Sequence, residues 1–141
     1  MGKTPVYTIG YGGRGPGDFL ELLKARGVRS VVDVRIAPHR ACMGSYVKAK
    51  TPDKGIERLL ASAGIQYFSF TALGNPFKDA PDWAVSYQEL LDRDGVALVE
   101  PLQQIPQPFC LMCCEKRVAG CHRKLIADFM ASRGHDIEHI E

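Results

Sequence analysis

Short apolar runs alternate along the chain with segments whose apolar residues recur every three or four positions, a pattern that predicts strands and helices in turn. Val6-Tyr7-Thr8-Ile9 is a β-prone run that stops at a glycine-rich stretch, residues 10–17. Asp18 followed by Phe19, Leu20, Leu22 and Leu23 predicts a helix closed at Gly27, with Pro16 and Gly17 left in the loop before it. Residues 30–34, Ser-Val-Val-Asp-Val, predict a second strand whose valines suit burial on both faces of a parallel sheet. Ile56, Leu59, Leu60 and Ala63 predict a helix ended by Gly64, and the aromatic and β-branched residues 65–70 a third strand. Trp83, Tyr87, Leu90 and Leu91 predict another helix, with a separate one over 96–104 in spite of Pro101. Phe109-Cys110-Leu111-Met112 is the fourth strand. A helix through Leu125, Ile126, Phe129 and Met130 runs to about Gly134, and residues 136–140 form a last strand.

Strictly alternating strands and helices argue for right-handed βαβ units and hence an α/β fold. The expectation is a small three-layer Rossmann-like domain with a mainly parallel sheet of about five strands, residues 1–141 forming one domain. A length of 141 residues suits a single hydrophobic core. With 45% hydrophobic and 24% charged residues, the composition excludes a disordered chain. A formal charge of +2 is too mild to imply nucleic-acid or membrane binding by itself. No stretch approaches the roughly 18 apolar residues of a membrane span, and residues 1–5 lack the apolar core of a signal peptide, so the expectation is a cytoplasmic protein without membrane association. The five cysteines, Cys42, Cys110, Cys113, Cys114 and Cys121, are odd in number and crowded toward one end, unlike a secreted disulfide framework.

Chemistry concentrates between Cys113 and Arg123, where three thiols, a carboxylate, an imidazole and three cations bridge the fourth strand and the following helix. In a parallel sheet such junctions open on one edge, so Gly10 to Arg14, Asp33 and Arg35, and Cys113 to Glu115 converge across about a hundred residues of sequence. Arg35 and Arg123 are placed to bind an anion through their planar guanidinium forks, with Arg14 and Arg40 as further candidates. His122 and Glu115 are candidates for proton transfer, and His39 a lesser one. A thiolate stabilised by nearby cations and a helix N-terminus suits nucleophilic chemistry at Cys113, whereas Cys110 suits apolar packing. Zinc ligation by Cys113, Cys114, Cys121 and His122 is disfavoured by spacing, since neighbouring side chains diverge and no C-x₂-C pair is present. The same absence disfavours a redox disulfide. Gly10-x-Gly12-x-x-Gly15 formally matches a dinucleotide fingerprint and Asp33 lies near its ribose-binding spacing, but Pro16 and Gly17 count against a helix opening there. Tyr11 and Tyr46, in loops rich in glycine and basic residues, are stacking candidates; Trp83, Tyr87, Phe68 and Phe70 belong with the core.

Thr8-Ile9-Gly10-Tyr11, Asp33-Val34-Arg35 followed by Pro38, Leu73-Gly74, and Cys113-x-Glu115 with Cys121-His122-Arg123 together resemble the DUF488 family. The resemblance implies a compact α/β domain whose motif residues gather in one cleft. Tyr11 stands where histidine is common in that pattern and Cys114 where a small residue is usual. The functional expectation is an enzyme acting on an anionic substrate, phosphate-bearing and nucleotide- or nucleic-acid-related. Its catalytic residues would be Glu115, His122, Cys113 and Asp33, and its substrate contacts Arg35, Arg123, Gly10, Tyr11 and Arg14, with no metal ligand assigned and the cofactor unknown. The alternative is a non-catalytic module that binds nucleic acid or a phosphorylated ligand through the same basic cleft.

Overall fold

The computed structural model describes residues 4–41 and 43–141, so Cys42 lies outside the described residues. Five strands form one sheet: β1 (Val6–Gly10), β2 (Ser30–Asp33), β3 (Gln66–Ser69), β4 (Phe109–Cys113) and β5 (Ile137–Ile140). All pair in parallel, in the order β3-β2-β4-β1-β5. Four helices cover it: α1 (Pro16–Lys24), α2 (Gly55–Ala61), α3 (Trp83–Val99) and α4 (Arg123–Ser132). The protein is an α/β domain of the Rossmann-like kind. No described helix is long and apolar enough to cross a membrane.

Period-two alternation of the strands divides the core into two layers. Tyr7, Ile9, Val31, Cys110 and Met112 pack with Phe19 and Leu23 of α1 and Ile56 and Leu60 of α2. Val32, Phe109, Leu111 and Cys113 face the other way, against Tyr87 and Leu91 of α3 and Ile126 and Met130 of α4. The three central strands are buried residue by residue, which is why they read as continuous apolar runs.

Two departures from the predicted helices bear on the fold. Helix α1 opens on Pro16 itself, with Gly15 as the residue before it. The first helical position needs no N–H and favours the proline φ, so a residue read as a breaker is the starter. Helix α3 runs unbroken to Val99, and a 3-10 segment, Glu100–Gln104, replaces the expected separate helix. The continuous helix passes through Gly95, a glycine that leaves room for the ring of Phe129 from α4: a Cβ there would meet Phe129 Cζ at 2.6 Å. Pro101 has no N–H to continue the α-helical ladder, and the chain tightens into the 3-10 form.

Strand order determines where a cleft opens. From β2 the chain leaves toward β3, and from β4 it leaves toward β5, on opposite faces of the sheet. Neighbouring strands whose exits diverge leave a crevice at their carboxyl ends, the place where open α/β sheets bind ligands.

Candidate functional site

At that crevice lies a cavity of about 530 Å³. Tyr11 follows β1, and Arg35, Ile36, Ala37, Arg40 and Ala41 follow β2. Asn75, Lys78 and Trp83 come from the segment after β3, and Cys113, Cys114, Glu115, Gly120, Cys121 and His122 from the end of β4 and its loop. The fold therefore brings four separated segments together at one sheet edge: the three expected from the alternation, and the segment after β3 in addition.

The floor is the Cys113–Cys121–His122 cluster, all three buried, with their ligand atoms within 4.8 Å of one another. His122 Nδ1 lies 3.8 Å from Sγ of Cys113 and 3.9 Å from Sγ of Cys121. Its other nitrogen, Nε2, lies 2.8 Å from the Val34 carbonyl oxygen. A carbonyl only accepts, so Nε2 carries the hydrogen and Nδ1 is turned to the sulfurs. The ring of Tyr87 meets the imidazole edge-on at 5.2 Å, and its hydroxyl donates to the Leu73 carbonyl at 2.6 Å.

The two buried thiols differ sharply. Cys113 is pushed well above the ordinary thiol value, first by the hydrogen bond it shares with Cys121 and then by burial. Cys121 is pulled down to about 4 against its burial, first by that same bond and then by the His122 ring and the Arg123 backbone N–H. Arg123 N donates to Cys121 Sγ at 3.5 Å. Glu115 completes the group, its Oε2 3.4 Å from Cys113 Sγ. Cys110 is fully buried in the opposite layer, where burial raises its thiol, and Cys114 is exposed.

Adjacent cysteine and histidine converge here because the backbone changes form between them. Cys121 is extended at φ −126° and ψ 143°, while His122 has turned helical at φ −63° and ψ −18°. Neighbouring side chains point apart within a uniform strand or helix, and a change of backbone form between them removes that constraint. Cys121 was absent from the predicted site for that reason, and the signal that finds it is a Cys-His pair at a loop-to-helix junction.

Asp33 and Arg35 form a buried pair beneath one wall. Arg35 Nε donates to Oδ1 of Asp33 at 2.9 Å, Nη2 to Oδ2 at 2.7 Å, and the Arg35 backbone N–H to Oδ1 at 3.0 Å. Tyr67 hydroxyl donates to the same carboxylate. Arg35 Nη1 spans to the Tyr46 carbonyl at 2.7 Å and to the Tyr11 hydroxyl at 3.4 Å. Burial lowers the guanidinium, and the Asp33 bonds outweigh it, so Arg35 is raised above its usual value. Arg35 faces the cavity with most of its donors engaged, and the wholly buried Asp33 carboxylate is absent from the lining.

Tyr11 lines the cavity, stacked on Tyr46 with ring centroids 4.5 Å apart and the Arg35 guanidinium 5.2 Å from its own centroid. Burial pushes its hydroxyl up to about 12. Tyr46, the other stacking candidate, belongs instead to the core: it is 1% exposed, pinned by Phe19 and by its hydroxyl bond to the Arg14 carbonyl at 2.8 Å.

Three predicted substrate contacts face elsewhere. Arg123 is wholly buried outside the cavity lining, where Nε meets Thr8 Oγ1 at 3.2 Å and the terminal nitrogens meet the carbonyls of Glu115 and Lys116. It ties down the loop after β4 rather than clamping a ligand. Gly10 lies against that loop, and a Cβ there would fall 1.6 Å from the Glu115 carbonyl oxygen. The Gly12 N–H donates to the Cys114 carbonyl at 2.7 Å. These glycines serve close chain-to-chain contact, which accounts for them without a dinucleotide. Arg14 Nε turns back to the Gly10 carbonyl at 2.8 Å. His39 is exposed and outside the lining.

Arg40 and Lys78, both exposed, are the cavity's other cations. Lys78, Asn75 and Trp83 carried no catalytic signal in the sequence. The Asn75-Pro76 step was the available clue, since Asn75 Oδ1 accepts the Phe77 N–H at 3.0 Å and shapes the turn that delivers them.

A family model described as a domain of unknown function, DUF488, matches residues 16–130. No curated protein and no solved structure matches the chain.

Proposed function

We propose a function for a chain that belongs to the DUF488 family: an enzyme that takes a small, phosphate-bearing substrate, nucleotide-sized, into the cavity at the β2–β4 crevice. The observation that carries this reading is the convergence of the buried Cys113, Cys121 and His122 and the exposed Glu115 at one cavity, with Arg40 and Lys78 among the other lining residues. A volume of about 530 Å³ lies within the roughly 300–1,000 Å³ of small-molecule sites. The exposed cations draw the anion in, Trp83 and Tyr11 supply apolar walls, and the reacting atom meets the thiol, imidazole and carboxylate groups below.

Within this site the roles divide by burial. Glu115 moves a proton, since its carboxylate reaches Cys113 and lines the cavity. Asp33 is a positioning residue that acts through Arg35, and Arg123 positions the loop carrying Glu115.

Calorimetric titration with inorganic phosphate and nucleoside monophosphates tests the reading. Saturable one-to-one binding is expected, weakened about 10- to 100-fold when Arg40→Ala and Lys78→Ala are combined. Glu115→Gln should instead tighten anion binding, because it removes a negative charge from the same cavity. Affinity that ignores both changes would place the anion site elsewhere.

A further inference from the structure

We infer that Cys113, Cys121 and His122 bind a divalent metal ion of the zinc class, with a fourth coordination position open to the cavity. The inference deepens the preceding reading by naming what its floor holds, and it stands on geometry. With Zn–S of about 2.3 Å and Zn–N of about 2.0–2.1 Å, tetrahedral ligation places sulfur and nitrogen roughly 3.6 Å apart. His122 Nδ1 lies 3.8 and 3.9 Å from the two sulfurs, close to that separation, and all three ligand atoms lie within 4.8 Å of one another, so an ion between them needs the group only to draw together.

The imidazole is prepared for this. A histidine ligand almost always donates its second ring N–H to a carbonyl or carboxylate, which sets the tautomer and the ring direction. The Nε2 bond to the Val34 carbonyl at 2.8 Å is that arrangement, and Val34 immediately follows β2. Two sulfurs and an imidazole suit zinc far better than magnesium or calcium, which take oxygen ligands.

Among the described residues three protein ligands converge, and all three also line the cavity. Structural zinc sites are closed by four protein ligands, whereas catalytic ones keep a position for water or substrate. Glu115, 3.4 Å from Cys113 Sγ, is the carboxylate beside that open position. An anionic substrate entering past Arg40 and Lys78 would meet the metal on its open side.

The full-length protein, stripped with a chelator and held under a phosphine reductant, should be titrated with cobalt(II) and then zinc(II), each alone. The expected result is one cobalt per chain, with thiolate-to-cobalt charge transfer and the strong visible bands of tetrahedral coordination, all displaced by zinc. Cys121→Ser and His122→Ala should each weaken binding about 100-fold or more, beyond the roughly 10- to 100-fold effect of losing a group that only hydrogen-bonds to a ligand. Cys110→Ser, in the opposite layer of the core, should leave it unchanged. Zinc should also raise the thermal midpoint of the unmodified protein and not that of Cys121→Ser, a comparison that holds even where a variant is less stable. Absence of stoichiometric cobalt binding, or binding that survives both Cys121→Ser and His122→Ala, overturns the inference. Phosphate binding to the stripped protein is read separately, so failure of the metal site and failure of the anion site are distinguishable.

Discussion

Asp33→Ala is expected to lower stability by about 3–5 kcal/mol, the usual cost of removing one partner of a buried ion pair. The size follows from what is left behind. Arg35 is 5% exposed and gives Asp33 its backbone N–H together with Nε and Nη2, while the Tyr67 hydroxyl gives a further bond. Alanine strands a buried guanidinium and the phenol beside it, and each orphaned donor keeps its desolvation cost. A fall in thermal midpoint on the order of 10 °C should be measurable. Asp33→Leu combined with Arg35→Met should be less damaging than Asp33→Ala alone, because an apolar pair leaves no uncompensated charge. A single variant within about 1 kcal/mol of the parent would contradict the assignment. The same substitution should weaken phosphate binding, since Arg35 begins the segment through Ala41 that forms one wall of the cavity.

The pair also shows how far a sequence can be read. Asp33-Val34-Arg35 at a strand end marks convergence at the carboxyl edge, and the cavity forms there. Which group of the motif reaches the ligand depends on partners far along the chain: Tyr67 and the Tyr46 carbonyl occupy donors and acceptors that local sequence leaves apparently free. Arg123 is the clearest case. A guanidinium opening a helix after a strand has the sequence appearance of an anion clamp, yet it meets two loop carbonyls and the Thr8 hydroxyl. The strands were legible because burial on both faces leaves continuous apolar runs. The course of α3 was not, because Asp92-Arg93-Asp94-Gly95 interrupts the apolar pattern and only the Phe129 ring from α4 explains the glycine. The Cys113–Cys121–His122 cluster was hidden for a different reason. Spacing rules assume one backbone conformation, and the chain changes from extended to helical between Cys121 and His122.

Gly10→Ala should be among the most damaging single-methyl additions in this protein, and it should strike the site as well as the fold. The new Cβ would stand 1.6 Å from the Glu115 carbonyl oxygen, 2.3 Å from its carbonyl carbon and 2.9 Å from Lys116 Cα. All three are backbone atoms, so no side-chain rotation relieves the clash. Either the end of β1 or the loop after β4 must move by more than an ångström, and that loop is held by the Arg123 guanidinium and by the Gly12 bond to the Cys114 carbonyl. Overpacking costs about 1–3 kcal/mol where neighbours can adapt; here they cannot, and a loss of about 4 kcal/mol is expected. Displacing Glu115 and the adjoining cysteines should weaken cobalt and phosphate binding together, even at temperatures where the variant remains folded. Gly17→Ala supplies the contrast. It lies in the first turn of α1 with nothing within 4 Å of its would-be Cβ, so the same methyl group should leave binding intact and raise stability by up to about 1 kcal/mol through helix propensity. Denaturant midpoints for the two variants, read beside their cobalt titrations, should therefore move in opposite directions for stability and diverge for binding; a Gly10→Ala protein that matched the parent in both would break the link drawn between the glycine loop and the site.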